Sequence, residues 1–408
     1  MRCIVIGAGI VGICTALQLQ RDGHEVVVID RNGPGEGASK GNAGVFAYGH
    51  VVPIGTTGIF KRVPRMLLDP ASPLAIRWSY LPSLTPWLIR MLAASAPSRV
   101  AAISNALANI LRGAKAAYEP LLRRARAESL IRSRGWLMLF ESEESRRAAQ
   151  PDLELRRQHG VRLELLAEPA VRQIVPGLRP GPISGAMMPD CQHTTDPYRL
   201  TRALADAFVT EGGTIQTADA ATGLRADGAP RVTANGDEIA FDALVIAAGA
   251  WSRTLLRGLG EDAPLDTERG YHVMLENNID LQQPLLFVDR KFSVTPMIEG
   301  IRLGGTVELA GLEAPPNHKR ADMMTRAAAA LLPGLRTQNR STWMGFRPSM
   351  PDSLPVIGRS RRHRNVFLAF GHGHLGLTLA AATGDIIADL VAGRSPAVDI
   401  GPYRIDRF

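Results

Sequence analysis

Residues 2–30 read RCIVIGAGIVGICTALQLQRDGHEVVVID, and this stretch decides the fold. Its first apolar run, at 3–6, predicts a buried strand, and the segment that follows predicts a helix through Arg21 that Gly23 closes. A second apolar run, at 26–29, predicts a parallel strand and stops at Asp30. The order strand, helix, strand therefore predicts a βαβ unit at the start of an α/β fold.

Three glycines join the first strand to the helix in the pattern GAGIVG, residues 7–12. Gly7 would make the tight turn, Gly9 would let the backbone approach a pyrophosphate, and Gly12 would let the helix pack against the strand. Free N–H groups at the helix start and the positive end of its dipole would hold the phosphates. Because Asp30 stands where a ribose needs a hydroxyl acceptor, the stretch favours FAD or NAD over NADP, and dinucleotide binding over a structural turn.

Residues 32–44 read NGPGEGASKGNAG and are too rich in glycine for a helix or a central strand. A flexible surface connection is one interpretation. The favoured one is a loop that closes over the cofactor, in which Ser39 and Asn42 donate hydrogen bonds to phosphate or ring oxygens.

The positive charge of the chain does not indicate a nucleic-acid partner. Although the net charge of the 408 residues is +8, the basic residues are almost all arginines spread along the chain, and no nucleic-acid-binding motif accompanies them.

The three cysteines lack C-x-x-C spacing, which argues against a disulfide framework or a zinc site. Because the first strand begins at residue 2, we expect no signal peptide and a cytoplasmic location.

Residues 51–97 contain seven prolines, which interrupt each apolar run before it reaches the length of a membrane span. We therefore predict no transmembrane segment. Residues 60–68 mix basic with large apolar side chains, and the apolar residues 78–87 lie between Arg77 and Arg90. They could lie on the anionic inner face of the cell membrane, or they could be an ordinary buried insertion.

The middle of the chain predicts two domains whose segments alternate. A long helix is expected from Ser98 and should kink or end at Pro120, while strands are predicted at 135–141 and 183–188. Asp196-Pro197 supplies an N-cap and a proline at the first helical position, so another helix should follow it.

Later segments predict a return to the first sheet and then a second sheet. The apolar run in 241–252 ends in small residues, which leave room for a cofactor beside the strand end. Residues 271–304 predict antiparallel strands with a hairpin turn at 299–300, a natural roof for a substrate cavity. Residues 366–376 again lead from a strand through a glycine-rich turn into a helix. The positive start of that helix suits a flavin, whose reduced ring carries negative charge.

With these residues, the chain resembles the FAD-dependent D-amino-acid oxidase superfamily, most closely its bacterial D-amino-acid dehydrogenases of the small-subunit type. The resemblance is carried by the 7–30 fingerprint, the GNAG loop at 41–44, the strand at 242–252, and residues 345–376 with their Gly-His-Gly. It implies a Rossmann-like FAD-binding domain interleaved with an α+β substrate domain on a mixed or antiparallel sheet. The implied ranges are 1–80, 190–250 and 340–408 for FAD, and 81–189 and 251–339 for substrate.

The resemblance also implies how the cofactor is bound. Some relatives attach flavin through a cysteine in the C-terminal half, and this chain has none after Cys191, so non-covalent FAD is expected. The residues expected to bind it are Gly7, Gly9, Ile10, Val11, Gly12, Asp30, Arg31, Ser39, Asn42, Ala43, Gly44, Ala248, Gly249, Gly371, His372, Gly373, His374, Leu375 and Gly376.

The implied reaction moves a hydride from the substrate Cα to flavin N5, and the imino acid then hydrolyses to a 2-oxo acid and ammonia. Arg347 in Gly-Phe-Arg-Pro matches the arginine that holds the substrate carboxylate in related oxidases, unless it pairs with a carboxylate such as Asp352 instead. Tyr271 and His374 are the other expected catalytic residues. His50 could also reach the pocket.

Three functions stay open at this point. The leading one is a D-amino-acid dehydrogenase that passes electrons to a quinone or another carrier. The second is an O₂-using oxidase of glycine, sarcosine or a cyclic secondary amino acid such as D-proline or hydroxy-D-proline. The third is a flavin-carrying subunit whose cofactor serves structure or electron relay.

Overall fold

The computed structural model describes residues 1–55, 72, 74–225, 227–338 and 340–408. The predicted membrane-facing stretch 60–68 lies outside these residues. The α-helices within the described ranges are α1 (Ile10–Arg21), α2 (Leu81–Ala94), α3 (Pro97–Arg124), α4 (Glu143–Gln158), α5 (Glu168–Ile174), α6 (Pro197–Thr210), α7 (Ser252–Gly258), α8 (Lys319–Leu331) and α9 (Gly376–Val391).

The strands of the same ranges form two large sheets and two small ones. They are β1 (Arg2–Ile6), β2 (Glu25–Asp30), β3 (Val45–Phe46), β4 (Leu74–Ile76), β5 (Ile131–Arg132), β6 (Trp136–Phe140), β7 (Glu164–Leu166), β8 (Ser184–Met188), β9 (Gln192–Thr194), β10 (Thr214–Thr217), β11 (Ala220–Leu224), β12 (Pro230–Ala234), β13 (Asp237–Ile239), β14 (Ala243–Ile246), β15 (Asp266–Leu275), β16 (Leu285–Phe287), β17 (Phe292–Met297), β18 (Gly300–Leu309), β19 (Ser341–Ser349), β20 (Val356–Arg359) and β21 (Val366–Phe370).

The first large sheet has six strands in the order β10-β2-β1-β14-β21-β20. Every neighbouring pair is parallel except β20 with β21. The strands β1, β2, β14 and β21 are apolar runs because helices or other elements cover both faces of the sheet. The predicted βαβ unit is confirmed, and the carboxyl ends of β1, β14 and β21 meet at one edge.

Helix α9 packs against α1 and α3 beneath this sheet. At the crossing with α1, a Cβ on Gly384 would lie 2.9 Å from the carbonyl oxygen of Cys14, so only glycine permits this approach. Both helices therefore start at the same sheet edge, one from each end of the chain. Residues 373–391 are also apolar and long enough to cross a bilayer, but 67% of their most apolar window is buried, as in the core helix of a globular domain.

The second large sheet has nine strands and is mixed. Its main path is β19-β15-β18-β17-β16-β6-β8-β7, with β4 beside β18. The β6–β16 and β4–β18 pairs are parallel, and the others are antiparallel. Strands β4 and β19 belong to this sheet although their residues fall in the ranges predicted for the FAD-binding domain. The exact domain boundaries stay a prediction.

The structure contains an N-cap, a helix and a strand that the sequence predicted, but the helix and the strand have other bounds than predicted. The side chain of Asp196 accepts hydrogen bonds from two backbone N–H groups of α6, which confirms the predicted N-cap. Helix α3 does not end at Pro120 but continues to Arg124, since its apolar face stays buried past the proline. Strand β15 begins at Asp266, five residues before the predicted start, because its first half pairs with β19.

Candidate active site

A cavity of about 1520 Å³ lies between the carboxyl edge of the six-stranded sheet and the nine-stranded sheet. Typical small-ligand pockets measure about 300–1000 Å³, so this one has room for a dinucleotide and a small substrate together. All but three of the predicted FAD-binding residues line it, and so do Arg347 and Tyr271. The exceptions are Gly12, Gly44 and Gly371.

These three glycines act through packing. A Cβ on Gly12 would lie 1.8 Å from the carbonyl oxygen of Gly7, so α1 can approach β1 only with glycine there. Gly44 and Gly371 both have positive φ, and a Cβ would lie 2.8 Å from the Thr194 carbonyl oxygen or 2.6 Å from Met350 Cγ, respectively. Direct cofactor contact by these glycines therefore has no support from the geometry.

The turn at the start of α1 leaves an open cradle. Gly7 has φ +113°, which side chains rarely adopt, and a Cβ on Gly9 would meet only the hydroxyl of Ser39, at 3.4 Å. The backbone N–H of Ile10 donates to that hydroxyl at 2.9 Å. Helix N–H groups, a serine hydroxyl and the helix dipole converge here, which suits the phosphates of FAD.

Asp30 lines the cavity and also stabilises the glycine turn before α1. Its carboxylate accepts hydrogen bonds from the backbone N–H groups of Ala8 (2.8 Å), Asn32 (2.8 Å) and Gly33 (3.2 Å). Among the described residues, only Ala8 donates to one of the two oxygens, so that oxygen keeps a lone pair for a ribose hydroxyl. Next to it, the Arg31 guanidinium lies 4.6 Å from the Trp251 ring centroid.

The predicted cofactor loop is fastened to the second sheet by Arg302 and His272. On β18, Arg302 donates to the carbonyl oxygen of Asn42 at 2.6 Å, and burial lowers its pKa to about 10. His272 Nδ1 lies 3.1 Å from the carbonyl oxygen of Gly41, and its ring stacks on Trp343. The loop is thereby a fixed wall of the cavity, as favoured over a free surface connection.

At the other terminus, the segment before α9 also meets the cavity. The His372 ring is 3% exposed, its Nε2 lies 2.9 Å from the Thr383 hydroxyl, and burial lowers its pKa to about 3. It therefore anchors the turn as a neutral imidazole. Gly373 has φ +52°, and a Cβ there would meet open space, so the turn leaves room for a ligand.

Arg347 projects from β19 into the cavity, opposite Glu268 on β15. Its Nη1 donates to the Thr306 carbonyl oxygen at 3.1 Å, and its guanidinium occupies the space that a side chain on Gly270 would need. Burial lowers the pKa of Arg347, and the negative charge of Glu268 partly opposes this shift. The alternative partner named for Arg347, Asp352, pairs with Arg407 at 2.7 Å, and the carboxylate that lies opposite Arg347 is Glu268 instead.

Glu268 is a buried carboxylate that sequence reasoning missed. It is 3% exposed, one oxygen accepts from the Ser349 hydroxyl at 2.7 Å, and the other has no hydrogen-bond partner among the described residues. That free oxygen lies 3.7 Å from Nε2 of His374. Burial raises the pKa of Glu268, whereas the hydrogen bond to Ser349 and the charge of Arg347 lower it.

His374 faces the cavity with 37% of its side chain exposed. Surrounding protein nevertheless lowers its pKa to about 3, first through burial and then through the charge of Arg347. A neutral imidazole therefore stands beside Arg347 and can accept a hydrogen bond.

The hydroxyl of Tyr271 has protein partners, whereas the sequence predicted that it contacts the substrate. Its hydroxyl donates to Glu308 at 2.5 Å and accepts from the backbone N–H of Asn317 at 2.7 Å, and the residue is 1% exposed. The prediction that it contacts substrate therefore receives no support from the geometry.

His50 lines the cavity, as its loop suggested, together with two residues that were missed, Trp136 on β6 and Arg156 on α4. Arg156 is 6% exposed and donates from Nη1 to the Asp152 carbonyl oxygen at 3.1 Å. Single buried arginines have no sequence signature, because burial depends on how α4 packs on β6.

Among the described residues, no cluster of three or more His, Cys, Asp or Glu could hold a metal.

Comparison with known proteins agrees with this geometry. The family model for FAD dependent oxidoreductases, DAO, matches residues 2–390. A D-amino-acid oxidase of Bradyrhizobium diazoefficiens is 41% identical over 99% of this chain and 98% of its own length. A D-amino acid dehydrogenase of Rhizorhabdus wittichii is 32% identical over the full length of both chains.

Solved structures share the fold. Glycine oxidase from Geobacillus kaustophilus superposes with a TM-score of 0.74 at 22% identity, covering 100% of this chain and 99% of that one. L-proline dehydrogenase from P. horikoshii gives 0.73 at 19% identity, with 100% and 97% covered. The α/β architecture with its mixed second sheet is thereby confirmed. Because the family match spans residues 2–390 and the relatives align along nearly all of the sequence, the chain belongs to the FAD-dependent oxidoreductase family.

Proposed function

We propose that this protein catalyses the FAD-dependent oxidative deamination of a D-amino acid to its 2-oxo acid and ammonia. The observation that carries this proposal is Arg347, a half-buried guanidinium that faces the cavity, has Glu268 opposite it on the neighbouring strand, and forms no salt bridge with any described carboxylate. A positive charge that is partly removed from water without a salt bridge is costly, so the site is suited to receive an anion such as the substrate carboxylate. The relatives named D-amino-acid oxidase and D-amino acid dehydrogenase support the choice of substrate class.

The residues present fit FAD. The glycine cradle with Ile10 and Ser39 would hold the phosphates, Asp30 would accept from the ribose, and the segment before α9 would face the flavin ring. Bound FAD supplies the acceptor for the hydride that leaves the substrate Cα. Cys191 is buried and does not line the cavity, which supports non-covalent binding.

The chain's own side chains would then position the substrate. Arg347 can hold the α-carboxylate through two parallel hydrogen bonds, which fixes the direction of the Cα–H bond. Neutral His374, which lies beside the buried carboxylate of Glu268, can accept a hydrogen bond from the substrate amine. Positioning carries most of this chemistry, as expected for hydride transfer.

For the electron acceptor, we propose a quinone or another carrier, as in a dehydrogenase. The relatives named D-amino acid dehydrogenase support this choice, while the more similar relative named D-amino-acid oxidase favours O₂ as the second candidate. Peroxide production in air, compared with reduction of a soluble quinone by the same sample, separates the two.

We further propose a cytoplasmic protein that touches the membrane at its periphery. Trp78, Ile89 and Leu92, on the segment that includes α2, are each more than half exposed and also line the cavity. Such a surface suits a lipophilic acceptor that approaches from a bilayer. Sedimentation with anionic vesicles tests this: binding should weaken in Trp78→Ser with Ile89→Ser, and equal binding by both proteins would overturn it.

The main experiment mixes purified, FAD-loaded protein anaerobically with D- and L-amino acids and follows the visible flavin absorbance. We expect rapid bleaching with D-isomers only. Bleaching by L-isomers alone, or by neither, would overturn the proposed function.

A further inference from the structure

The end of the cavity near α4 has unused hydrogen-bond donors. Nε of Arg156 and Nε1 of Trp136 are both buried, and neither has a hydrogen-bond partner among the described residues. Arginine and tryptophan side chains only donate, so their ligand must bring acceptors. Since α4 packs on β6 and both residues line the cavity, the two donors belong to one region of it.

Arg156 also lacks a salt-bridge partner among the described residues. It forms no ion pair with any described carboxylate, and Asp152 contributes a backbone carbonyl oxygen to it. The pKa of Arg156 is lowered, chiefly by burial, while the more distant charge of Asp152 opposes the shift. A buried arginine without a partner is strongly destabilising, so the natural ligand of this region is an anion.

Arg347, which would hold the substrate carboxylate, lines the same cavity as Arg156, together with His50 and His374. The pKa of His50 is lowered to about 3, by burial first and then by the positive charge of Arg156. The His50 ring makes no hydrogen bond with a described residue, so it is free to contact a ligand.

We propose that Arg156, Trp136 and His50 form a second anion-binding subsite, which takes the side-chain carboxylate of an acidic D-amino acid such as D-aspartate or D-glutamate. The proposal rests on the proposed function, in which Arg347 holds the α-carboxylate. In this arrangement Arg347 binds the α-carboxylate of the substrate and Arg156 binds its side-chain carboxylate.

The test compares acids with their uncharged amides. Anaerobic flavin reduction is measured with D-glutamate against D-glutamine, and with D-aspartate against D-asparagine. We expect the better acid to exceed its amide by roughly tenfold or more in reduction rate over dissociation constant, as a charge-assisted hydrogen bond provides. Reduction by the amides with no advantage for either acid would overturn the subsite and leave the proposed function intact.

A matched pair of variants assigns the effect to Arg156. Arg156→Gln should remove the preference for the acid, and Arg156→Lys should restore part of it. Arg157→Gln, one residue along α4 and paired with Glu154 at 3.7 Å, should leave the preference unchanged. A preference that survives in a folded, FAD-loaded Arg156→Gln protein would overturn the assignment.

A binding measurement avoids turnover altogether. Glutarate, which lacks an amine, should perturb the flavin spectrum of the wild-type protein at lower concentration than butyrate, and Arg156→Gln should abolish the difference. If no amino acid bleaches the flavin but glutarate still binds through Arg156, the proposed function fails and the anion subsite stands. Equal binding of glutarate and butyrate to the wild type would overturn the subsite.

Discussion

The two ends of the cavity are built by different means. At the cofactor end, the turn at 7–12 works through backbone: glycines remove side chains, helix N–H groups point inward, and Asp30 accepts from the main chain. At the substrate end, long charged side chains on β15, β19 and α4 meet in a buried space. The first end depends on conformations that few residues allow, and the second on which distant residues become neighbours.

The largest effect should come from breaking the backbone end. Gly12→Val would place a Cβ 1.8 Å from the Gly7 carbonyl oxygen, so we expect a loss of roughly 3 kcal/mol or more and protein that is colourless or insoluble. The measurement is the flavin-to-protein absorbance ratio and the soluble yield. Gly113→Ala on α3, where a Cβ meets open space, should instead stabilise by up to about 1 kcal/mol. A yellow, stable Gly12→Val protein would show that this packing is dispensable.

At the substrate end of the cavity, we expect a substitution to weaken substrate binding without affecting folding. Arg347→Ala should lower kcat/KM by roughly a hundredfold or more while FAD stays bound, because two charge-assisted hydrogen bonds are lost. Arg347→Lys should recover only part, since an ammonium cannot form the parallel pair. Steady-state kinetics with the best D-amino acid measures both variants. Unchanged kinetics in Arg347→Ala would remove this residue from the site.

The same contrast explains what could be predicted from sequence. Glycine spacing, apolar runs and the Asp196 cap report local requirements, so β1, α1, β2, α6 and α9 were predicted within a few residues. Arg347 was found through a motif of the family it resembles. Glu268 and Arg156 were missed because burial and missing partners arise only when β15, β19 and α4 come together. Tyr271 was placed in the right wall, but its hydroxyl turns to Glu308, a neighbour 37 residues away in sequence.

Buried histidines should make the folded state sensitive to acid. The pKa values of His193 and His272 are lowered to about 4 and that of His372 to about 3, each mainly by burial. Since the unfolded chain binds these protons near pH 6.5, stability is fully present above that pH and falls as the pH drops towards the folded values. Each histidine contributes a slope of up to about 1.4 kcal/mol per pH unit in that window.

Denaturant midpoints of the FAD-loaded protein between about pH 7 and about pH 5 measure this slope. His193→Gln should flatten it by one histidine's share. A midpoint that is constant over this range would contradict neutral burial.

The smallest predicted effect concerns Glu268, at the substrate end of the cavity. The charge of this residue lies near the carboxylate that Arg347 would hold. Glu268→Gln should lower KM several-fold, about 1 kcal/mol, since it removes a repulsion in a partly desolvated site. Because the pKa of Glu268 is raised, chiefly by burial, the charge and its repulsion are present above that pKa and disappear as the pH falls through it. The KM values of wild type and variant should therefore differ at alkaline pH and converge in acid. If the ratio of the two KM values does not change with pH, Glu268 does not act through its charge, and Arg347 binds the substrate carboxylate without an opposing charge beside it.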